Sequence, residues 1–393
     1  MKNHVITQKC IDLLKEMVAI PSVNPANRSS YDEKIYGEKK LADFIYRFFE
    51  NHKHEFIIER HNVLPGRDNI LLFTGKDTDK ETILFETHMD TVDVANMKCE
   101  AFNPLLQEGK LYGRGACDAK GQIVSMITGL DMALDATNGE LPINVCLALV
   151  VDEEHLHRGV DNLVKSGIKA SCAIVGEPTN LLVGSASKGS IRFKIITKGI
   201  AAHTSTPDDG ENAIYLMSKI IRIIEEKIEP EVGKNKHYLC GQSSISVSLI
   251  KGGEQVNIVP DRCEIHVDRR LIPGESWEDA YKFIKDTIIN GLSEEENSRV
   301  IYEKPYLIDP YFETDKDSDV VDRLSKVLRR YNLPSEPVGL SFGCDASKIT
   351  PLGIPTVVFG PGSIKQAHSK DEYITVGDLV KAAYIYRDLM MNI

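Results

Sequence analysis

The sequence predicts a two-part α/β protein in which a mostly parallel sheet, layered with helices, is interrupted by a smaller ferredoxin-like βαββαβ unit. Three observations carry this prediction. The chain has 393 residues, longer than one compact domain usually is. Apolar extended runs alternate with helical-period segments through the first part of the chain, as in parallel sheets with helical crossovers. From about Gly184 to Pro305 the order changes to strand, helix, strand, strand, helix, strand.

Polar and apolar residues alternate at helical spacing from Thr7 to Ala19 and from Tyr31 to His52, on either side of the turn-rich "PSVNPANRSS". The extended runs "EFIIER", "NILLFTG" and "ETILFETHMD" follow. Next come a helix over "KGQIVSMITGLDMALDA", the strand "PINVCLALVVDEE", a helix from Gly159 to Lys165 and the strand "CAIVGEP". The inserted unit reads "SIRFKIITKG", "NAIYLMSKIIRIIEEK", "SISVSLIKGG", "CEIHVDRR", "SWEDAYKFIKDTIIN" and "RVIYEKPY". The chain then returns to a helix, "SDVVDRLSKVLRRY", and an apolar strand, "GIPTVVFGPG". The expected domains are therefore 1–184, 185–305 as the insertion, and 306–393 completing the first.

Composition narrows the function. Lys+Arg 47 against Asp+Glu 58 leaves a net charge of -11, which argues against nucleic acid as a partner. The start "MKNHVITQKCIDLLKEMVAI" has neither an apolar signal core nor a cleavage site. No later stretch reaches the roughly 18 apolar residues of a membrane span, so a cytoplasmic protein without membrane contact is expected. The eight cysteines, at 10, 99, 117, 146, 172, 240, 263 and 344, form no Cys-x-x-Cys pair. Reduced core thiols are expected, rather than a thiolate zinc site or a disulfide framework.

Ligands of parallel α/β sheets bind beyond the carboxyl ends of the strands, and here those ends carry ionisable groups. They are His88 and Asp90 in "THMD", Asp152, Glu153 and Glu154 in "VVDEE", Glu177 in "VGEP", and His368 after "TVVFGPGSIKQAHS". Asp118 lies in the glycine-rich loop "YGRGACDAKG", whose Lys-Gly order does not fit a phosphate-binding Gly-Lys-Ser/Thr loop. Singly, each has an ordinary explanation: a structural histidine, solvated loop acids, a turn before Pro178. Together they form a set of imidazoles and carboxylates suited to zinc, and also to cobalt or manganese. A bridging carboxylate could hold two ions about 3.5–4 Å apart.

The ordered motifs "HMDTVD", "LYGRGACDAKG", "VVDEE", "VGEPT", "GIAAHTSTPDDGENAI", "QVNIVPDRCEIHVDRRLIPG" and "GPGSIKQAHSKDEY" span nearly the whole chain. The set resembles the acetylornithine deacetylase and succinyl-diaminopimelate desuccinylase family of di-zinc amidohydrolases, which is related to aminoacylases and carboxypeptidase G-like metallopeptidases. The resemblance implies a zinc-peptidase catalytic domain with an inserted lid domain through which homodimers form. It implies that His88 and Glu177 bind one ion, Glu154 and His368 the other, and that Asp118 bridges them through a loop with a cis Asp118–Ala119 peptide bond. Asp90 would orient His88. Glu153 would be the general base, acting on a water whose pKa the metals lower to about 7.

From the inserted unit, the resemblance implies that His203 stabilises the oxyanion across a dimer interface or over a hinge. Arg270 and Asn257 would hold the substrate's carboxylate and backbone, the arginine as a bidentate fork. Asp268 and Arg269 read as ordinary strand-edge charges. "GPGSIKQAHSKDEY" is closer to the deacetylases, while Asp93, "ANMKCEAFNPL", "DAKGQ" and "HLHRGV" depart from them. The last brings in His155 and His157, which are expected to be exposed. Cys117 and Cys344 are expected near the site in structural roles.

The expected activity is hydrolysis of the amide of an N-acyl amino acid, with acetylornithine, and so arginine biosynthesis, the first case to consider. A dipeptidase, carboxypeptidase or desuccinylase would use the same groups on a short peptide or succinyl substrate. A catalytically silent binding protein on this fold predicts lost ligands or a replaced base, and neither is seen.

Overall fold

The computed structural model describes residues 2–28, 30–95, 97–98 and 100–392; Asn96 and Cys99 of the divergent "ANMKCEAFNPL" segment lie outside them. The chain separates into two compact units. One comprises Met1–Ser185, Glu313–Val338 and Cys344–Ile393, and the other Ala186–Phe312 with Gly339–Gly343.

In the first unit the strand order runs Ile57–Leu64, Arg67–Phe73, Asn144–Val150, Thr82–His88, Cys172–Val175, Thr356–Val358, Val183–Ser187. The centre is parallel, as the continuous apolar runs predict, because Asn144–Val150 and Cys172–Val175 are buried along their whole length. Antiparallel pairs flank it, Arg67–Phe73 on Asn144–Val150 and Val358 opposite Gly184, so the sheet is mixed. Register then decides where chemistry can sit. His88 is level with Val150, Glu86 with Val175, and Val175 with Val358. Neighbouring strands therefore end together, and the polar residues that follow them converge.

The helix Lys120–Ala136 is buried on nearly every face and packs along a C-terminal helix, Val376–Met390. Gly129 permits the close approach, since a Cβ there would come within 2.8 Å of the Ala383 carbonyl and the Tyr386 Cβ. No helix is predicted after His368. Residues such as Val380, Ala383 and Tyr386 are buried, and burial on several faces blurs the apolar stripe that marks an amphipathic helix. Tyr386 also anchors the sheet: its hydroxyl donates to the Phe359 carbonyl at 2.7 Å, and its ring meets Phe85 and Phe359 edge-on.

The helix expected from Tyr31 spans only Lys39–Glu50. Residues 31–38 form turns instead, with Gly37 at φ 86 and its N–H bonded to the Val23 carbonyl. Cys10, Cys117, Cys146, Cys172, Cys263 and Cys344 are buried thiols. Among the described residues no helix is long and apolar enough to cross a membrane.

The second unit has the βαββαβ order, with strands arranged Ser244–Gly252, Arg262–Leu271, Gly189–Lys198, Val300–Tyr302. Arg262–Leu271 pairs antiparallel with both Ser244–Gly252 and Gly189–Lys198, and Val300–Tyr302 pairs antiparallel with Gly189–Lys198. Its first helix, capped by the Asn212 side chain, runs Ala213–Ile223 and then widens to i→i+5 bonding over Ile224–Ile228 before Pro230. Strict alternation along Arg262–Leu271 puts Arg269 on the core face. Arg269 is therefore a buried cation paired with Glu275 at 2.7 Å, not the strand-edge charge expected. Asp268 and Arg270 share the opposite face, 2.8 Å apart.

Candidate metal centre

Strand register brings His88 and Glu177 to adjacent strand ends, and Asp118 enters from the loop before Lys120. These three side chains form one group able to hold a cation; Asp118, Glu154 and His368 form a second. Asp118 is common to both through different oxygens. Its Oδ1 lies 3.0 Å from His88 Nε2 and its Oδ2 3.3 Å from His368 Nε2. Glu177 Oε1 is 3.9 Å from His88 Nε2, and Glu154 Oε1 is 3.0 Å from His368 Nε2.

Donor separations of this size suit metal coordination. Four ligands at about 2.0 Å in a tetrahedron lie about 3.3 Å apart. The charge balance also fits. Glu153, Glu154, Glu177 and Asp118 crowd around two imidazoles, and Asp118 and Glu177 are nearly inaccessible. Burial, then the Asp118 charge, pushes Glu177 well above the usual carboxylate range. Hydrogen bonds to Asp118 and Glu154 hold His368 up to about 10. Burial alone would raise Asp118, but the two histidines pull it below its ordinary value. A pocket with this much carboxylate around two imidazoles has the charge balance to accept a cation.

Local backbone aims each group. The peptide bond Asp118–Ala119 is cis. In the same loop Gly115 adopts φ 84, and a Cβ there would come within 2.9 Å of Lys120 Cδ and Thr91 Cγ2. Gly115→Ala is expected to cost about 1–3 kcal/mol, seen as a lower thermal midpoint; an unchanged midpoint would mean the loop relaxes freely. Asp152, His157 and His368 also have left-handed backbone, at φ 68, 55 and 58, conformations that Asp and His tolerate better than most side chains.

Asp90 sits beside His88 and has further partners of its own. His88 Nδ1 lies 2.9 Å from the main-chain carbonyl of Asp90 and 3.6 Å from its Oδ1. The carboxylate also accepts the backbone N–H groups of Glu153 and Glu154, at 3.1 and 3.0 Å, and the Asn24 amide at 2.7 Å. It therefore fixes the turn that presents both glutamates. Beneath it, Asn24 also reaches Asp152, which pairs with buried Arg67 at 3.0 Å; Arg67 in turn clamps buried Glu38. No role is predicted from sequence for Asn24, Glu38 or Arg67. Their signal is weak: "SVNP" reads as a turn, and a lone Arg or Glu reads as surface charge.

Glu153 belongs to neither donor pair with Asp118, yet its charge acts on both His88 and Glu177. Burial pushes its carboxyl well above the usual range, with the His157 charge acting the other way. His157, expected to be exposed, is half-buried, with Nδ1 2.8 Å from Asp345 Oδ1 and 3.8 Å from Glu153 Oε1. His155 is also half-buried, its Nε2 3.0 Å from Asn27 Oδ1. Both lie between Glu154 and the helix Arg158–Lys165. Cys117 lies beside Asp118, its thiol 3.5 Å from the Ser363 carbonyl. Burial, then the Glu177 charge, pushes the Cys344 thiol well up.

In the second unit His203 is exposed and bonded to Ser205 Oγ at 2.7 Å. Its segment pairs with Ile258, and the Thr204 N–H bonds the Asn257 carbonyl at 3.1 Å. Arg270 keeps its guanidinium against Asp268.

The sequence profile of peptidase family M20/M25/M40 matches residues 84–392. An acetylornithine deacetylase of Myxococcus xanthus is 31% identical over 310 residues, covering 78% of this chain and 79% of that protein. Among solved structures, a tripeptidase of Staphylococcus aureus superposes with TM-score 0.80 at 19% identity, over 98% of each chain. A dinuclear metal-binding peptidase of Bacillus subtilis superposes with TM-score 0.69 at 15% identity, over 99% of this chain and all (100%) of that one.

Proposed function

Because the chain belongs to peptidase family M20/M25/M40, and is thus a metallohydrolase of linear amides, we propose that it removes the acyl group from an N-acyl amino acid, as acetylornithine deacetylases do. The observation that carries this reading is the Asp118 carboxylate divided between His88 and His368. One cation would be held by His88, Glu177 and Asp118, and a second by Glu154, His368 and Asp118, zinc being the natural choice for this donor set, with cobalt or manganese as substitutes. Bound there, the ions would polarise the scissile carbonyl and lower the pKa of water.

Glu153 is the general base in this reading. It accepts a proton from the attacking water as the new C–O bond forms. It then delivers that proton to the amine nitrogen as the C–N bond breaks, leaving a carboxylate and a free amine. Asp90 keeps Glu153 and Glu154 aimed through their backbone amides. Arg270 and Asn257 bind the amino acid's carboxylate and backbone, and His203 stabilises the oxyanion from the partner protomer of a homodimer formed by the second unit. A cytoplasmic location, and a place in arginine biosynthesis if acetylornithine is the substrate, belong to the same reading.

A peptidase is the second reading, favoured by the fold likeness to the tripeptidase. A panel of N-acetyl, N-succinyl and N-formyl amino acids and dipeptides, with and without chelator, separates them. Chelator-sensitive release of acetate from acetylornithine supports the deacylase, and turnover of dipeptides alone would replace it. His203→Ala is expected to lower turnover about 10²–10³-fold with metal content unchanged. Mixing it with a Glu153-inactivated protein should restore activity in mixed dimers. No rescue in demonstrably mixed dimers would remove the role across the interface.

A further inference from the structure

We propose that Glu372 is the positioning residue of the metal centre: one buried carboxylate that fixes the backbone of Asp118 and ties it to the loop carrying His368. The proposal rests on the reading of those two residues as metal ligands. Glu372 is fully buried. Its Oε1 accepts the backbone N–H groups of Cys117 and Asp118 at 2.9 and 3.1 Å. Its Oε2 accepts the Gly115 N–H at 3.1 Å and Arg114 Nη1 at 2.7 Å. The Gly113 N–H bonds the main-chain carbonyl of the same residue at 3.1 Å.

A carboxylate buried only to neutralise Arg114 would need one partner. This one is inserted into the main chain of the ligand loop, where charge-assisted bonds to amides are short and directional. Glu372 also closes the loop that carries His368 and precedes the strand Tyr373–Thr375, which pairs with Lys110–Tyr112 leading into the Asp118 loop. The segment before Asp118 and the segment after His368 are therefore joined at a single residue, by side chain and main chain together. His88 is placed by strand pairing itself, and Glu177 follows two residues after the paired Val175. The group Asp118–Glu154–His368 thus depends on Glu372 through two of its members, and the group His88–Asp118–Glu177 through one. Asp90 treats Glu153 and Glu154 in the same way, so both ligand turns are held by a buried carboxylate accepting backbone amides.

The test is zinc titration of metal-free protein against a competing chelator, with thermal unfolding of the metal-free form. It compares wild type, Glu372→Gln, and Asp388→Asn, a control lacking a buried carboxylate that bonds Tyr331 and Arg387 instead. Glu372→Gln is expected to fold without metal and to bind one of the two ions about 10–100-fold less tightly, with a smaller loss for the other. The control should keep both affinities. Equal affinities in Glu372→Gln and wild type, a loss no larger than the control's, or failure of the metal-free variant to fold would each overturn the positioning role. A wild-type protein that binds no metal would instead refute the reading on which it rests.

Discussion

Glu153→Gln is expected to bind both metal ions with unchanged affinity and to lose about 10²–10⁴-fold in turnover. Glutamine preserves the shape of the side chain, and the turn is held by Asp90 through the backbone N–H groups of residues 153 and 154, which the substitution leaves intact. What is lost is a group able to accept a proton from water and deliver it to the departing amine. Steady-state kinetics alongside metal analysis reads both halves. Loss of an ion with the activity would mean that Glu153, not Glu154, is a ligand.

Asp118→Asn is expected to have the largest effect on metal binding. The two carboxylate oxygens of Asp118 serve the two donor groups separately, and an amide replaces one of them by an NH₂ group that cannot ligate. Both sites should weaken by more than the ~10–100-fold typical of losing an outer hydrogen-bond partner, and activity should disappear with them. Equilibrium dialysis with metal analysis checks this. Retention of one ion at full affinity would show that one group stands without Asp118.

The parts of this arrangement legible in the sequence are those with a local signature. The continuous apolar run ending in "ETHMD" marks a buried strand stopping at a ligand position, and period changes mark the second unit's βαββαβ order. Seven ordered motifs carry the donor set through the resemblance, where composition alone left a metal centre as one option among several. The remainder depends on partners far apart in sequence. Asp90 reads as a group that aims His88 because it lies close by in sequence, but its second task, accepting amides more than sixty positions onward, has no local signature. His157 reads as a surface residue until Asp345 meets it. No role is predicted from sequence for Arg67 and Glu38, yet both are buried and paired with each other. Glu372 stands inside a quoted motif without a role, because its role is defined by the main chain of residues 115–118. Spacing shows which groups can reach a strand end, but not which backbone amides they will find there.

The most direct measurement is the number of tightly bound zinc ions on the wild-type chain, titrated together with acetate release from acetylornithine. Two ions per chain, with activity that falls as chelator removes them and returns as zinc is restored, is the predicted result. A chain that binds no ion, or hydrolyses its substrate equally well with and without chelator, would contradict the account.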